Sequence, residues 1–144
     1  MAADTGTAAH TEPTRPLGDG AWLGVRRSSD GPGDTWQLTV RPSLCGRTGN
    51  LHGGCSLATA ATAMEQATGR PLTWATAQFV GRATLDEVVT YTVRVASSGN
   101  RTSQVGAVAT VGDRVVGNFL GAFGERPGAT MRSCTSGSGR PTLR

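Results

Sequence analysis

The chain has 144 residues, room for one ordinary domain. Its 14 basic residues are all Arg and stand against 10 acids, a net +4, so lysine chemistry such as a Schiff base or a phosphate-loop Lys is excluded. With 37% apolar and 17% charged residues the chain is not wholly disordered, and no apolar run approaches the roughly 18–20 residues of a membrane span.

The charge is unevenly placed. Asp4 and Glu12 against Arg15 leave residues 1–18 slightly acidic, whereas Arg126, Arg132, Arg140 and Arg144 against Glu125 make residues 124–144 basic. The middle is nearly balanced and has no basic stripe with interleaved aromatics, so no nucleic-acid partner is expected. Met1 to Pro16 lacks a basic start and an apolar core, so neither a secretory signal nor a membrane partner is expected. Cys45, Cys55 and Cys134 form no CxxC pair, and His10 and His52 are too far apart to make a metal cluster. Reduced thiols, a cytoplasmic location and no metal or other cofactor are expected.

Residues 1–18 read as a disordered leader and 124–144 as a disordered Gly/Ser/Arg tail, leaving one domain at 19–123. Within it, Ala21 to Arg27 is a short strand candidate, ended by the turn cluster Ser28 to Gly33. Thr35 to Arg41 alternates, with Trp36, Leu38 and Val40 on one face, and predicts a half-buried strand ended by Pro42. A Gly-rich loop, Cys45 to Leu51, follows.

Gly53 to Thr68 predicts the one helix. Its alanines give it high propensity, Gly69 is a natural C-cap, and Pro71 stops it. Leu57, Ala60, Ala61 and Met64 form the apolar stripe, with Thr59, Thr62 and Gln66 opposite. Four strands complete the pattern: Leu72 to Arg82, Glu87 to Ala96, Arg101 to Val111 and, after the Gly112-Asp113 turn, Arg114 to Phe123. Glu87 to Ala96 puts Val89, Tyr91, Val93 and Val95 on one face. One helix among hairpin-linked strands predicts an α+β domain, an antiparallel β-sheet wrapped around a central α-helix.

The segment Asn50-Leu51-His52-Gly53-Gly54-Cys55 resembles the His-Gly-Gly motif of hot-dog thioesterases that act on acyl-CoA. Glu65 to Pro71, Trp74 to Phe79 and Thr102-Ser103-Gln104 are similar to the group related to thioesterase II. The resemblance covers about residues 20–123. It implies the hot-dog fold, hydrolysis of an acyl-CoA or acyl-carrier thioester to acid and thiol, and self-association into a homodimer through Leu72 to Phe79.

It also implies an oxyanion site at the N–H groups of Gly53 and Gly54, where unpaired donors at a helix N-terminus can receive developing charge. Where better-known single-domain members carry an Asp or Glu, this chain has Ala61 and Thr62. Glu65 is then the candidate base, with His52 as its rival and Gln78 as a group to position water. Asn50, Thr102 and Gln104 are candidate substrate-binding residues. Thioesterase II relatives often carry two hot-dog units and place their catalytic set in the second. A non-catalytic acyl-thioester-binding or structural half-domain is therefore the alternative reading.

Overall fold

The computed structural model describes residues 22–29 and 33–125. The expected leader and most of the expected tail lie outside the described residues. Six strands and one α-helix follow in chain order: β1 (Arg26–Arg27), β2 (Asp34–Thr39), α1 (Gly53–Thr68), β3 (Leu72–Phe79), β4 (Val88–Ser98), β5 (Thr102–Val111) and β6 (Arg114–Gly124). A single turn of 3-10 helix, Pro42–Leu44, follows β2. The strands form one antiparallel sheet in the order β1-β2-β4-β5-β6-β3, and α1 packs across its inner face. Among the described residues no helix is long and apolar enough to cross a membrane.

The helix has the predicted limits. His52 caps its start, and Gly69 ends it in the left-handed region at φ 63, donating its N–H to the Glu65 carbonyl. Only a residue without a Cβ adopts that backbone freely.

Its buried stripe differs from the expected one. Ser56, Thr59, Ala60, Ala63 and Met64 are buried, while Leu57 and Ala61 are only half-buried. Thr59, expected on the outer face, is fully buried. Its hydroxyl donates to the Cys55 carbonyl at 2.8 Å, which lets a polar side chain face the core without an unsatisfied donor.

Strand alternation then builds the core. Leu38 and Val40 on the β2 side, Val89 and Tyr91 on β4, Val105, Ala107 and Ala109 on β5, and Phe119 and Phe123 on β6 all turn toward α1. Each fully buried large side chain contributes roughly 1.5–3 kcal/mol. Val95, expected with this set, is 40% exposed. β4 outlasts β2, whose register ends at Asp34 opposite Val93, and the ladder shifts between Val95 and Ser97.

Every strand shifts at one or both limits; β2 becomes Asp34–Thr39, β4 Val88–Ser98 and β5 starts at Thr102. The expected strand from Ala21 contracts to Arg26–Arg27, because Trp22 and Leu23 lie in a 3-10 turn and Gly24 takes φ 71. β3 stops at Phe79, short of the expected Arg82. β6 runs one residue past Phe123, and Gly124 donates its N–H to the Pro71 carbonyl.

On β6, Gly117 and Gly121 alternate with Phe119 and Phe123. A Cβ on either glycine would lie 2.9 Å from the ring of the phenylalanine two positions on. The missing side chains let both rings lie along the strand beneath α1.

β3 reverses the usual use of residue size. Its small residues Ala75 and Ala77 turn inward and are half-buried, while Leu72, Trp74, Thr76 and Gln78 are exposed. A narrow, Ala-rich helix lying close to the sheet leaves room only for small neighbours there.

Candidate functional site

The Gly-rich loop is pinned from both sides before α1 begins. Gly46 N–H donates to the Asn50 carbonyl, Leu51 N–H to the Ala83 carbonyl, and His52 N–H to the Leu44 carbonyl. Asn50 bridges to Thr84, and its amide donates to the Thr48 hydroxyl at 2.9 Å. The facing segment is braced in turn. Glu87 accepts from Thr84 N–H and from Arg114, and the Thr84 bond is the main cause holding its carboxyl below the usual range. The position of His52 thus follows from the ends of β2 and β3.

His52 has extended backbone, and its Nδ1 accepts from Gly54 N–H at 3.1 Å. With Nδ1 as acceptor, the neutral imidazole carries its proton on Nε2 and presents a donor rather than a base. The cap also occupies one of the two expected oxyanion donors. Among the described residues, the Gly53 and Cys55 N–H groups have no acceptor. The intrahelical ladder begins one residue later, where Ser56 N–H donates to the His52 carbonyl.

Gly53 sits against Phe79. A Cβ there would lie 3.1–3.2 Å from two ring carbons, so the absence of a side chain lets the aromatic ring touch the start of the helix. Phe79 also meets Phe119 edge-on at 6.1 Å. Beneath the first turn, Ser56 Oγ and Tyr91 OH are 2.9 Å apart, both buried. Burial pushes the Tyr91 phenol up to about 12, against the opposing effect of hydrogen bonds from Ser56 and Thr59.

Glu65 stands at the other end of α1. Its Oε1 accepts from Leu72 N–H at 3.3 Å, and it borders a cavity of about 290 Å³ with Gln66, Gly69, Arg70 and Pro71. Twelve helical steps lead from Gly53 to Glu65, about 18 Å along the axis. One protomer therefore does not bring the candidate base to the candidate oxyanion donors.

The remaining candidates lie on the outer face of the sheet. Gln78 is opposite Asn118 and next to the pair Ala77–Phe119, whose Phe119 turns inward. Thr102 and Gln104 flank the buried Ser103, so they too face outward. Of the predicted residues, the structure groups Asn50, His52, Gly53 and Gly54. It leaves Glu65 at the far end of the helix and Gln78, Thr102 and Gln104 on the opposite face.

Sequence reasoning missed Phe79, Ser56 and Tyr91 as neighbours of the helix start. The alternation of Glu87 to Ala96 turned Tyr91 inward, but no local pattern paired it with a helix residue 35 positions away.

A family model for the acyl-CoA thioesterase N-terminal domain matches residues 41–124. No curated protein matches the sequence. Among solved structures, a Novosphingobium aromaticivorans protein provisionally assigned as a thioesterase is 33% identical, with a TM-score of 0.64 over 69% of this chain. The chain spans only 41% of that protein. The PaaI protein of the Escherichia coli phenylacetic acid degradation operon is 20% identical, with a TM-score of 0.65, covering 74% of this chain and 86% of its own. Zebrafish thioesterase superfamily member 2 is 16% identical, with a TM-score of 0.63, covering 77% and 88%. At those identities the last two share the fold alone, which is the hot-dog fold.

Proposed function

The chain belongs to the acyl-CoA thioesterase N-terminal domain family, and from that membership we propose that it hydrolyses an acyl-CoA or acyl-carrier thioester as a homodimer with shared sites. One observation carries this reading: the two halves of the chemistry are tied to opposite ends of one edge strand. Gly53 touches Phe79, the last residue of β3, and Glu65 holds the N–H of Leu72, the first.

β3 is an eight-residue edge whose outer side has no partner strand among the described residues. It exposes Leu72, Trp74 and Phe79. Such an edge pairs readily with another strand. A two-fold pairing centred between Ala75 and Thr76 puts Leu72 of one copy opposite Phe79 of the other, about 4.8 Å away. Glu65 of the partner subunit then comes to the end of the sheet where His52 and Gly53 lie.

In this arrangement the thioester oxygen accepts from Gly53 N–H, with His52 Nε2–H as a second donor. The partner's Glu65 takes a proton from water, whose oxygen attacks the carbonyl carbon. The tetrahedral oxyanion collapses, the carbon–sulfur bond breaks, and the thiolate leaves to be protonated. Gly54 acts through His52, by orienting its ring, and Asn50 buttresses the loop. Gln78, Thr102 and Gln104 take no part in this chemistry.

A complementation assay tests the sharing. Glu65→Gln and His52→Ala each lose activity in both sites of a homodimer, the former by on the order of 10²-fold. Subunit exchange between them makes half the dimers mixed, each with one intact site, so activity recovers to about a quarter of wild type. A mixture no more active than its parts, or a stable monomer in light scattering at tens of micromolar, overturns shared catalysis. The binding-only reading fits the distance of Glu65 from the helix start within one copy. It prevails if wild type releases no thiol from any acyl-CoA.

A further inference from the structure

Elsewhere on the sheet, the structure sorts the arginines. Arg27 pairs with Asp34, Arg114 with Glu87 and the Arg82 carbonyl, and Arg70 donates to the Ser103 hydroxyl. The Arg26 side chain has no hydrogen-bond or ion-pair partner among the described residues, and the Arg41 guanidinium donates only to the carbonyls of Trp22 and Leu23.

These two arginines line one cavity. It has a volume of about 340 Å³ on the outer face, bounded by Gly24, Arg26, Gln37, Thr39, Arg41 and Val88. Its construction follows from strand alternation. Leu38 and Val40 are fully buried, so Gln37, Thr39 and Arg41 turn outward. Register then places Arg26 beside Gln37 and Val88 beside Thr39. Gly24 completes the wall: a Cβ there would come within 3.3 Å of the Arg41 guanidinium, so the bare backbone lets that group lie flat.

Among the described residues no carboxylate lines the cavity. The neighbouring acids are turned elsewhere or make no ion pair here: Asp34 is held by Arg27, and Glu87 by Thr84 and Arg114, while Asp86 pairs with neither arginine. Two forked cations, an amide and a hydroxyl thus face one space.

We propose that this cavity binds a phosphoryl group. A lone carboxylate is satisfied by one guanidinium fork, whereas a phosphate or diphosphate offers enough oxygens for two. The group can arrive as free diphosphate or as the nucleotide end of a coenzyme A thioester. The second source has a structural route. The turn Pro42–Leu44 runs directly from Arg41 to Leu44, whose carbonyl holds His52. The proposal concerns binding alone and stands whether or not the thioester is cleaved.

Calorimetric titration of the full chain with inorganic diphosphate, and separately with adenosine 3′,5′-bisphosphate, tests it. Saturable binding weakened by salt is expected with at least one of them. Arg26→Gln, at an exposed position that ties nothing together, lowers that affinity about tenfold or more. Arg94→Gln, outside the cavity, leaves it unchanged. Equal affinities for the two probes assign the site to the phosphoryl group alone, and a stronger bisphosphate assigns it to a nucleotide. Absence of saturable binding with both probes, or equal losses in Arg26→Gln and Arg94→Gln, overturns the proposal. Because no turnover is measured, failure here is separable from failure of the hydrolysis reading.

Discussion

Tyr91 is the only tyrosine in the sequence, so its ionisation can be followed alone by tyrosinate absorbance. Burial against α1 moves its phenol from an ordinary 10.0 to about 12. The sign follows directly. Between those values the unfolded chain releases the proton while the native chain keeps it, so the native state is penalised as pH rises. The stability is fully present below pH 10 and is lost on the way to pH 12. A displacement of that size corresponds to roughly 3 kcal/mol. Denaturant titration of wild type and Tyr91→Phe across this range isolates the effect, since all other groups are common to both. Wild type should lose about 2–3 kcal/mol more than the variant over the window. At neutral pH the order reverses: Tyr91→Phe strands the buried Ser56 hydroxyl and costs about 1–3 kcal/mol. A tyrosinate signal rising near pH 10 in folded protein, or alkaline losses equal in both proteins, refutes a buried, protonated Tyr91.

Two further outcomes follow from packing and from the chain ends. Gly121→Ala places a Cβ 2.9 Å from the Phe123 ring and 3.0 Å from the Trp74 carbonyl oxygen, a backbone atom that cannot swing aside. It should cost about 1–3 kcal/mol in thermal melts, whereas Gly46→Ala, which meets nothing within 4 Å, should cost little. Removing residues 1–18 and 126–144, which offer few large apolar groups, should leave the melting temperature within a few degrees. A larger fall shows that these segments pack on the domain.

The helix limits and the strand count were legible because their signals are local. His52, Gly69 and Pro71 punctuate the helix, and the Gly112-Asp113 turn fixes the last hairpin. The inward face of α1 was less so. Ala occurs all around this helix, and a Thr whose hydroxyl donates one turn back can stand on either face, as buried Thr59 does at Cys55 and half-buried Thr62 at Ala58. For β3 the period of two correctly grouped Gln78 with Trp74 and Thr76, but grouping does not say which side is covered. There the alanines, not the tryptophan, face the helix. The hold of Glu65 on Leu72 spans a turn that no helical or strand periodicity describes. The His52 cap was hidden differently. The motif supplied the residues, but not the turn of the ring that brings Nδ1 to the Gly54 N–H.

The two margins of the sheet are unequal. At one, β1 is two residues long and both are exposed arginines; at the other, β3 offers eight residues with bare Leu72, Trp74 and Phe79. Brevity and charge repel a docking strand, while length and apolar surface invite one. A chain with two inviting margins could add copies indefinitely and grow a fibril. Among the described residues β3 is the one long apolar margin, so the proposed joining through it would leave the two charged β1 margins outermost. In the proposed pairing, this asymmetry favours a closed pair over a growing fibril.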